Sequence, residues 1–435
     1  MCIRDRYIIS VDALESQDIE ILKTLPNFSY IMENGAVVTG VREVYPTLTN
    51  VNHVSIITGA TPAVHGVFHN QHPYAPNADS NWNVIGFNWM WESSNIRCET
   101  LIDAAKKAGL KTCCCTWPSM GGTGGNVAEW NVAEIWPHLF PSVRESYAAS
   151  CTPNAMERYY DKYVASFDFS KSFDVDPLNV EIVCDMIENL NPDLLLHHII
   201  TLDAVRHKNG NNSEKVRLAL ARADGFIGKI IEASKRAGTF EETNFAIVGD
   251  HGQICVKEQF NINVELNKRG ILGQKDGLIT DYTAYSFSCG FSGLIIMKDG
   301  ATEEDKNRVY RALVDIANEY PDKIERIFTQ EEAAEEGLAG PFAFVVETVE
   351  GVSLGNALSG ETVISVNSPD YHYYKSNHGY HPSKGPKTLF IACGPNIRQG
   401  ARVNGVSIMQ ECPTFAEILG VTVKEAKLPP IDILK

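Results

Sequence analysis

Short apolar runs alternate with longer amphipathic segments over the first half of the chain. The run Tyr7–Val11 is rich in β-formers and almost wholly apolar, which predicts a buried central strand that ends at Asp12. Further β-rich runs predict strands at 36–45, 111–116, 193–200, 245–248 and 387–392. Apolar positions with a helical period predict helices at 16–34, 49–57, 97–109, 177–190 and 213–237. This alternation predicts an α/β fold, with a mostly parallel central sheet and helices on both faces.

Residues 255–370 break the alternation. They contain a hairpin-like stretch at 342–352 and a helical pattern at 302–318. We therefore expect an inserted α+β cap at 255–370 that shapes the substrate pocket. The core would then be split into a first part at 7–254 and a C-terminal part at 371–435, in which a helix at 413–419 closes the fold.

The chain has 435 residues and a net charge of −16. Such an acidic protein repels nucleic-acid polymers and anionic membranes, so neither is an expected partner. A small phosphate ester stays compatible with the charge, because bound metal dications reverse the field of a carboxylate-rich site. The sequence has no apolar run of about 18 residues, so no transmembrane helix is expected. It does not predict the oligomeric state.

The eleven cysteines form no C-x-x-C pair, which argues against a cysteine-based metal site. Cys113–Cys115 are consecutive and are interpreted as small buried residues of a strand. Free thiols favour a reducing compartment, so a cytoplasmic location is expected. Met1–Arg6 (MCIRDR) fits neither a strand nor a targeting segment and resembles a translated sequencing adapter. That resemblance leaves room for a different native start with an export signal.

Carboxylates follow three of the predicted strands, at Asp12, Asp203 and Asp250. Ligands of parallel sheets bind beyond the carboxyl ends of the strands, so these residues predict one shared site. Asp203 and His207 are four apart, which on a helix places both on one face, suited to one cation. Asp250 is followed by His251 and a glycine that permits a tight turn. The alternatives are a helix-surface pair, an ordinary strand-end turn and, for Asp12, a helix N-cap.

The segment Tyr45–Asn70 is the most specific part of the chain. Thr49 falls at a predicted helix N-terminus, where free N–H groups and the helix dipole favour an anion. The alternative is that Thr49 only caps the helix. His378 lies in a polar H-G-Y segment, and a histidine in such a loop is by itself more often solvated than metal-bound.

The motifs V-D-A-L, Y-P-T-L-T-N-V-N-H, D-A-V-R-H, G-D-H-G and H-G-Y occur in this order along the chain. Together they resemble the alkaline phosphatase superfamily, and most closely its type I phosphodiesterase/nucleotide pyrophosphatase family. The resemblance runs from Asp12 to the terminal P-T-F-A-E-I-L-G. It implies an alkaline phosphatase-like fold and a hydrolase with two divalent metal ions, zinc or alternatively manganese.

The resemblance also implies a role for each motif residue. Thr49 would be the nucleophile and a metal ligand, and Asn70 would donate a hydrogen bond to a phosphoryl oxygen. One metal would be held by Asp203, His207 and His378, and the other by Asp12, Asp250 and His251. The chain departs from the family pattern at Ala13, where glycine is common, and at Asn50-Val51, where Phe-Pro is common. Asn50 would therefore lie in the pocket wall as a substrate-binding residue.

The implied reaction is hydrolysis of a phosphodiester or a nucleotide pyrophosphate bond through a phospho-threonine, with a small phosphate ester or nucleotide as substrate. A phosphonoacetate hydrolase and a phosphomonoesterase of the same superfamily are alternatives. A sulfatase is disfavoured, because no C/S-x-P-x-R motif surrounds Thr49. A catalytically inactive binding protein is also disfavoured, because such a protein does not need an intact nucleophile and six intact metal ligands. The aromatic cluster could stack a base or only form core: Trp82, Phe87, Trp89 and Trp91. Trp117 is expected in the core.

Overall fold

The computed structural model describes residues 6–73, 88–122, 124, 126–135, 140–169 and 174–435. The strands are β1 Arg6–Val11, β2 Gly35–Val41, β3 Gln71–His72, β4 Asn88–Trp89, β5 Thr112–Cys115, β6 Trp130–Val132, β7 Leu194–Ile199, β8 Asn244–Val248, β9 Ile254–Cys255, β10 Glu258–Phe260, β11 Leu272–Lys275, β12 Leu278–Tyr282, β13 Ala284–Ser288, β14 Ser292–Met297, β15 Ile324–Thr329, β16 Phe344–Thr348, β17 Val352–Leu354, β18 Val363–Ser365, β19 Ser376–Asn377, β20 Thr388–Cys393 and β21 Arg402–Asn404. The α-helices are α1 Ile19–Leu22, α2 Pro26–Glu33, α3 Thr49–Thr58, α4 Pro62–His65, α5 Leu101–Lys107, α6 Val143–Ser150, α7 Pro153–Tyr159, α8 Asp176–Leu190, α9 Thr201–Asn209, α10 Glu214–Ala237, α11 Ile262–Lys268, α12 Glu303–Glu319, α13 Gln330–Glu335 and α14 Glu411–Leu419. Short 3-10 turns occur at Ser16–Asp18, Ser93–Asn95, Phe240–Glu242 and Ile408–Gln410, and a π-helical turn at Tyr160–Val164.

The central sheet has eight strands among the described residues, in the order β21-β2-β20-β8-β1-β7-β5-β6. Neighbouring strands are parallel except at β20, which runs antiparallel to both β2 and β8. β1 lies in the middle, paired in register with β7 and β8. The prediction of a mostly parallel α/β sheet is therefore confirmed.

Helices cover both faces of this sheet. Side chains of β1 alternate, so that Ile8 joins one hydrophobic cluster while Tyr7 and Ile9 join the other. The Ile8 side of the sheet is covered by α3, α5 and α14, and the other side by α2, α8 and α10. Cys113–Cys115 are fully buried in β5, as predicted. No helix in the described ranges has both the length and the apolar content that a membrane span requires.

The predicted helix at 16–34 is wrong as one continuous element. It is divided into a 3-10 turn, α1 and α2, with a break before Pro26. The proline ring disfavours a helical residue before it, and Leu25 is accordingly extended, with φ −101° and ψ 129°. The helix predicted from 97 begins only at Leu101, because Thr100 and Asp103 form a capping box there.

The region 255–370 forms its own sheets. A four-stranded antiparallel sheet has the order β13-β14-β16-β15, and a three-stranded sheet has the order β17-β10-β18. The hairpin predicted at 342–352 is wrong, since β16 and β17 pair in different sheets. Apolar residues of this region belong to the same hydrophobic cluster as α3. The division of the chain into core and cap at 255 and 370 stays a prediction.

The sheet order explains how the site forms. β8, β1 and β7 are adjacent and parallel, so their carboxyl ends meet at one edge. Asp250 lies just past β8, Asp12 follows β1, and the helix that carries Asp203 begins just after β7. Residues far apart in sequence therefore lie side by side at this edge.

Candidate active site

Thr49 is the first residue of α3, and the N-cap position belongs to Leu48. The side chain of Thr49 is therefore not the cap. It is buried, and its Oγ1 lies 3.1 Å from Nε2 of His251. The hydroxyl thus faces the carboxyl edge of the sheet, at a helix N-terminus where an anion is favoured.

Asp203, His207 and His378 form a cluster that we call the first ligand group. Their potential ligand atoms lie within 4.8 Å of one another. Oδ1 of Asp203 is 3.3 Å from Nε2 of His207 and 3.9 Å from Nε2 of His378. Nδ1 of His207 lies 2.8 Å from the carbonyl oxygen of Ser376. Nδ1 of His378 lies 3.1 Å from the carbonyl oxygen of Thr47. If Nδ1 carries the proton, both Nε2 atoms are free to bind one cation.

Asp12, Asp250 and His251 form the second ligand group. Nε2 of His251 lies 3.4 Å from Oδ1 of Asp12 and 3.3 Å from Oδ2 of Asp250. Both of these carboxylate oxygens are buried, and neither has a hydrogen-bond partner among the described residues. Asp203 also reaches this group, since its ligand atom lies within 4.8 Å of those of Asp12 and His251. Unpaired buried carboxylate oxygens beside an imidazole fit a bound dication.

Ala13 fixes the orientation of Asp250. Its N–H donates to Oδ1 of Asp250 at 3.0 Å, which leaves Oδ2 to face His251. Ala13 makes this contact with a φ of 59°, in the left-handed region that favours glycine. The departure from the family's glycine is therefore accommodated in the backbone rather than in the ligand set.

The carboxylates of Asp12, Asp203 and Asp250 influence one another's pKa values. Burial and the nearby Asp203 raise the pKa of Asp12 to about 7, and burial with Asp12 raises the pKa of Asp250 well above its usual value. Burial opposes ionisation of Asp203 as well, yet His207 and His378 bring its pKa below the ordinary value. Burial and His378 lower the pKa of His251 well below its usual value. A divalent cation would stabilise the charged carboxylates and the neutral imidazole together.

Asn70 and Asn50 differ in what they offer a substrate. Oδ1 of Asn70 accepts the backbone N–H of Asn50 at 2.9 Å, and its Nδ2 has no partner in the described part of the chain. The Asn50 side chain is fully buried and donates to the Met90 carbonyl at 2.9 Å and to Ser119 Oγ at 3.0 Å. The Asn50 side chain thus already donates to protein groups, whereas Nδ2 of Asn70 is available as a donor, and the expected substrate contact of Asn50 stays a prediction.

Several functional candidates were missed by sequence reasoning. Nε2 of His198 lies 3.2 Å from Oδ2 of Asp12, and its Nδ1 lies 3.7 Å from Oε2 of Glu134. Nδ1 of His53 lies 2.8 Å from the carbonyl oxygen of Thr49 and 3.4 Å from Oδ2 of Asp250. The available signal was a pair of histidines inside the otherwise apolar run 194–199.

The aromatic cluster that could stack a base or only form core lies partly within the described residues. Trp82 and Phe87 lie outside the described residues. Trp91 makes an edge contact with Phe140, with ring centroids 6.0 Å apart. A different aromatic residue, Tyr374, packs against a candidate ligand. Its ring centroid lies 4.1 Å from that of His207, and Tyr374 is half exposed.

Trp117 is fully buried, as expected, and contacts His53 beneath the site.

Residues 7–384 match the family model described as type I phosphodiesterase / nucleotide pyrophosphatase. The chain belongs to this family.

Three relatives match this chain at low sequence identity. Human ectonucleotide pyrophosphatase/phosphodiesterase family member 1 is 25% identical over 231 residues, which is 52% of this chain and 21% of that protein. Venom phosphodiesterase of Naja atra is 25% identical over 250 residues, 57% of this chain and 26% of that protein. The rat family member 7 is 21% identical over 408 residues, 93% of this chain and 80% of that protein. The chain thus spans about a quarter of the length of the first two relatives.

Solved structures of this family share the fold. Murine ectonucleotide pyrophosphatase/phosphodiesterase 5 superposes with a TM-score of 0.69 at 19% identity, covering 99% of this chain and 100% of that one. Human ectonucleotide pyrophosphatase/phosphodiesterase 5 superposes with a TM-score of 0.70 at 17% identity, again covering 99% of this chain and 100% of that one. At this identity the likeness concerns the fold alone.

Proposed function

We propose that this protein is a two-metal hydrolase of phosphodiester or nucleotide pyrophosphate bonds, with a covalent phospho-threonine formed on Thr49. The observation that carries the proposal is the position of Thr49 Oγ1, 3.1 Å from Nε2 of His251 in the second ligand group. A nucleophilic hydroxyl, a helix N-terminus and convergent Asp and His side chains are the parts that phosphoryl transfer requires. The names of the family and its relatives agree with this reaction class.

The first ligand group would hold one cation, and the second group with Thr49 would hold the other. The donor set is carboxylate and imidazole without thiolate, which suits zinc and also permits manganese. When bound, such cations supply Lewis-acid activation of hydroxyl groups and neutralise charge on phosphoryl oxygens.

The chain's own groups then act in two steps. Oγ1 of Thr49 attacks phosphorus, its proton passes to solvent, and the bond to the leaving alcohol or nucleotide breaks. Nδ2 of Asn70 and the backbone N–H of Thr49 bind the equatorial oxygens. Water then attacks the phospho-threonine, the phosphorus–Oγ1 bond breaks, and Thr49 is regenerated.

Tyr374 supports a substrate that carries an aromatic base. Its ring lies on His207 and has an exposed side, and Tyr373 beside it is also half exposed. Exposed aromatic rings at the rim of a site favour stacking with an aromatic group. A nucleotide-containing ester therefore fits the site better than a small alkyl ester.

The first prediction concerns the nucleophile. We expect Thr49→Ala still to bind two metal ions through the remaining ligands and to lose at least about 10³-fold in kcat on bis-p-nitrophenyl phosphate, because the attacking oxygen is removed. Thr49→Ser, which keeps a hydroxyl, should retain measurable turnover and a covalent phosphorylated intermediate detectable by mass spectrometry. Full activity of the alanine variant would remove Thr49 from the mechanism.

The same assay separates the alternatives. A clear preference for p-nitrophenyl phosphate would indicate a phosphomonoesterase, and cleavage of phosphonoacetate would indicate a phosphonate hydrolase. A panel with a dinucleoside polyphosphate and a nucleotide sugar would define the leaving group.

The cytoplasmic location expected from the free thiols stays a prediction.

A further inference from the structure

Gln253 directly follows the turn that carries Asp250 and His251, and it is fully buried. Every polar group of this residue is hydrogen-bonded. Its backbone N–H donates to Oε1 of Glu15 at 2.8 Å, and its carbonyl accepts from Nδ2 of Asn211 at 2.5 Å. The backbone of Gln253 is thereby fixed from two directions.

The Gln253 side chain joins the two segments that supply the first ligand group. Its Nε2 donates to Oδ1 of Asp203 at 2.5 Å, and its Oε1 accepts from Oγ of Ser376 at 2.6 Å. Ser376 lies two residues before His378, and its carbonyl oxygen is 2.8 Å from Nδ1 of His207. One amide therefore bridges the helix of Asp203 and His207 to the strand that leads into His378.

The chemistry of this position specifies an amide. The Asp203 carboxylate accepts a hydrogen bond and the Ser376 hydroxyl donates one, and an amide of this length offers the matching donor and acceptor without ionising. A glutamate would lose the donor and add a further carboxylate beside Asp203. A methionine would fill the space but remove the donor to Asp203, and it would leave the Arg206 carbonyl, 2.7 Å from Oγ of Ser376, as the remaining acceptor of that hydroxyl among the described residues.

We propose that Gln253 is a positioning residue that holds Asp203, His207 and His378 in register for one cation and ties them to the turn of the second ligand group. We call the hydrogen bonds of the Gln253 side chain to Asp203 and Ser376 the clamp. This inference rests on the proposed function only for the use of the cations, since the clamp consists of hydrogen bonds between protein groups. Groups that orient metal ligands in this way commonly change metal affinity by 10- to 100-fold when removed. The larger effect is expected at the first group, because the Gln253 amide bonds to Asp203 and to the segment of His378, whereas among the described residues it makes no hydrogen bond to Asp12, Asp250 or His251.

The test is a zinc titration of chelator-treated protein, with affinity from competition against a chromophoric chelator and stoichiometry from elemental analysis. Wild type should bind two zinc ions. Gln253→Met should weaken one of them by roughly 10- to 100-fold and the other by less than about threefold. Ser376→Ala, which removes the hydroxyl but keeps the carbonyl facing His207, should weaken the same site by a smaller factor.

Gln259→Met is the matched control. Gln259 lies in β10 and is also buried, and its Nε2 donates to Oδ1 of Asn261 rather than to a proposed ligand. It should bind both zinc ions as the wild type does, with a circular dichroism spectrum and thermal midpoint recorded for every variant. Wild-type affinity at both sites in a folded Gln253→Met protein would overturn the inference, as would equal weakening of both sites. If wild type binds two zinc ions but cleaves no phosphoester, the proposed function fails while the clamp is still judged by these affinities.

Discussion

Single buried side chains around the site carry ionisation states set by their surroundings. Glu43 illustrates this, because it is fully buried and its Oε1 accepts the backbone N–H of Gly252 at 3.3 Å. Burial raises its pKa to about 8, although Lys387 and the hydrogen bond act in the opposite direction. The folded protein therefore keeps a proton on Glu43 that the unfolded chain has released near neutral pH.

This difference predicts a pH-dependent stability. Because the folded-state pKa is raised, the stability contributed by protonated Glu43 is present at low pH and decreases as pH rises from about 4.5 to about 8. Glu43→Gln cannot ionise and keeps an acceptor for Gly252. We expect its stability relative to wild type to increase across this window, by at most about 1.4 kcal/mol per pH unit. Thermal midpoints of both proteins at pH 6 and pH 8, in the same zinc concentration, would show it. A difference that does not change with pH would contradict the raised pKa.

At the scale of elements, strand β7 separates two neighbouring histidines. Side chains alternate across the sheet, so His198 lies on the face of α3 and the site, and His197 on the opposite face. Nδ1 of His197 lies 3.1 Å from the carbonyl oxygen of Cys115, away from the ligand groups. The same strand thus offers a site histidine and a chemically identical control.

The pair gives a prediction about metal binding. His198→Asn should weaken zinc at the second ligand group by about tenfold or more, because Asp12 loses the group beside its Oδ2. His197→Asn should leave both zinc affinities within about threefold of wild type, whatever it costs in stability. The measurement is chelator competition on both variants, with thermal midpoints to confirm folding. Equal changes in zinc affinity for the two variants would assign His198 a merely structural role.

At the scale of the whole molecule, the proposed metal ligands come from the end of β1, from α9, from the end of β8 and from the segment after β19. Bound cations would connect these distant parts of the chain. A ligand that binds only the folded state stabilises it by about 4 kcal/mol at a thousandfold excess over its Kd. The metals are therefore expected to contribute to stability as well as to chemistry.

Removal of metal tests that expectation. Treatment with a chelator should lower the thermal midpoint by roughly 5 °C or more, and added zinc should restore it. Thr49→Ala should show nearly the full shift, since the other ligands remain, whereas Asp203→Asn should show a much smaller one. An unchanged midpoint after complete removal of zinc would mean that the ligand groups hold no structural cation.

Much of the architecture could be predicted because it depends on local pattern. A buried apolar run such as 7–11 predicts its own strand, and polar residues at the ends of adjacent parallel strands must meet. That rule brought Asp12, Asp203 and Asp250 together, and the ordered motifs identified Thr49 and the histidines. The break before Pro26 was also readable from the sequence, but the helical pattern on either side masked it.

Contacts between distant segments decided the rest. β16 and β17 are neighbours in sequence and still pair in different sheets, because partners far along the chain satisfy their hydrogen bonds. The orientation of the Asn50 side chain depends on its hydrogen bonds to Met90 and Ser119. The clamp of Gln253 depends likewise on Asp203 and Ser376. The sequence by itself determined which groups can perform the chemistry, since ligand type and strand position are local properties. Only the tertiary structure decided which neighbours hold them in place, since hydrogen bonds across long sequence separations leave no periodic signal.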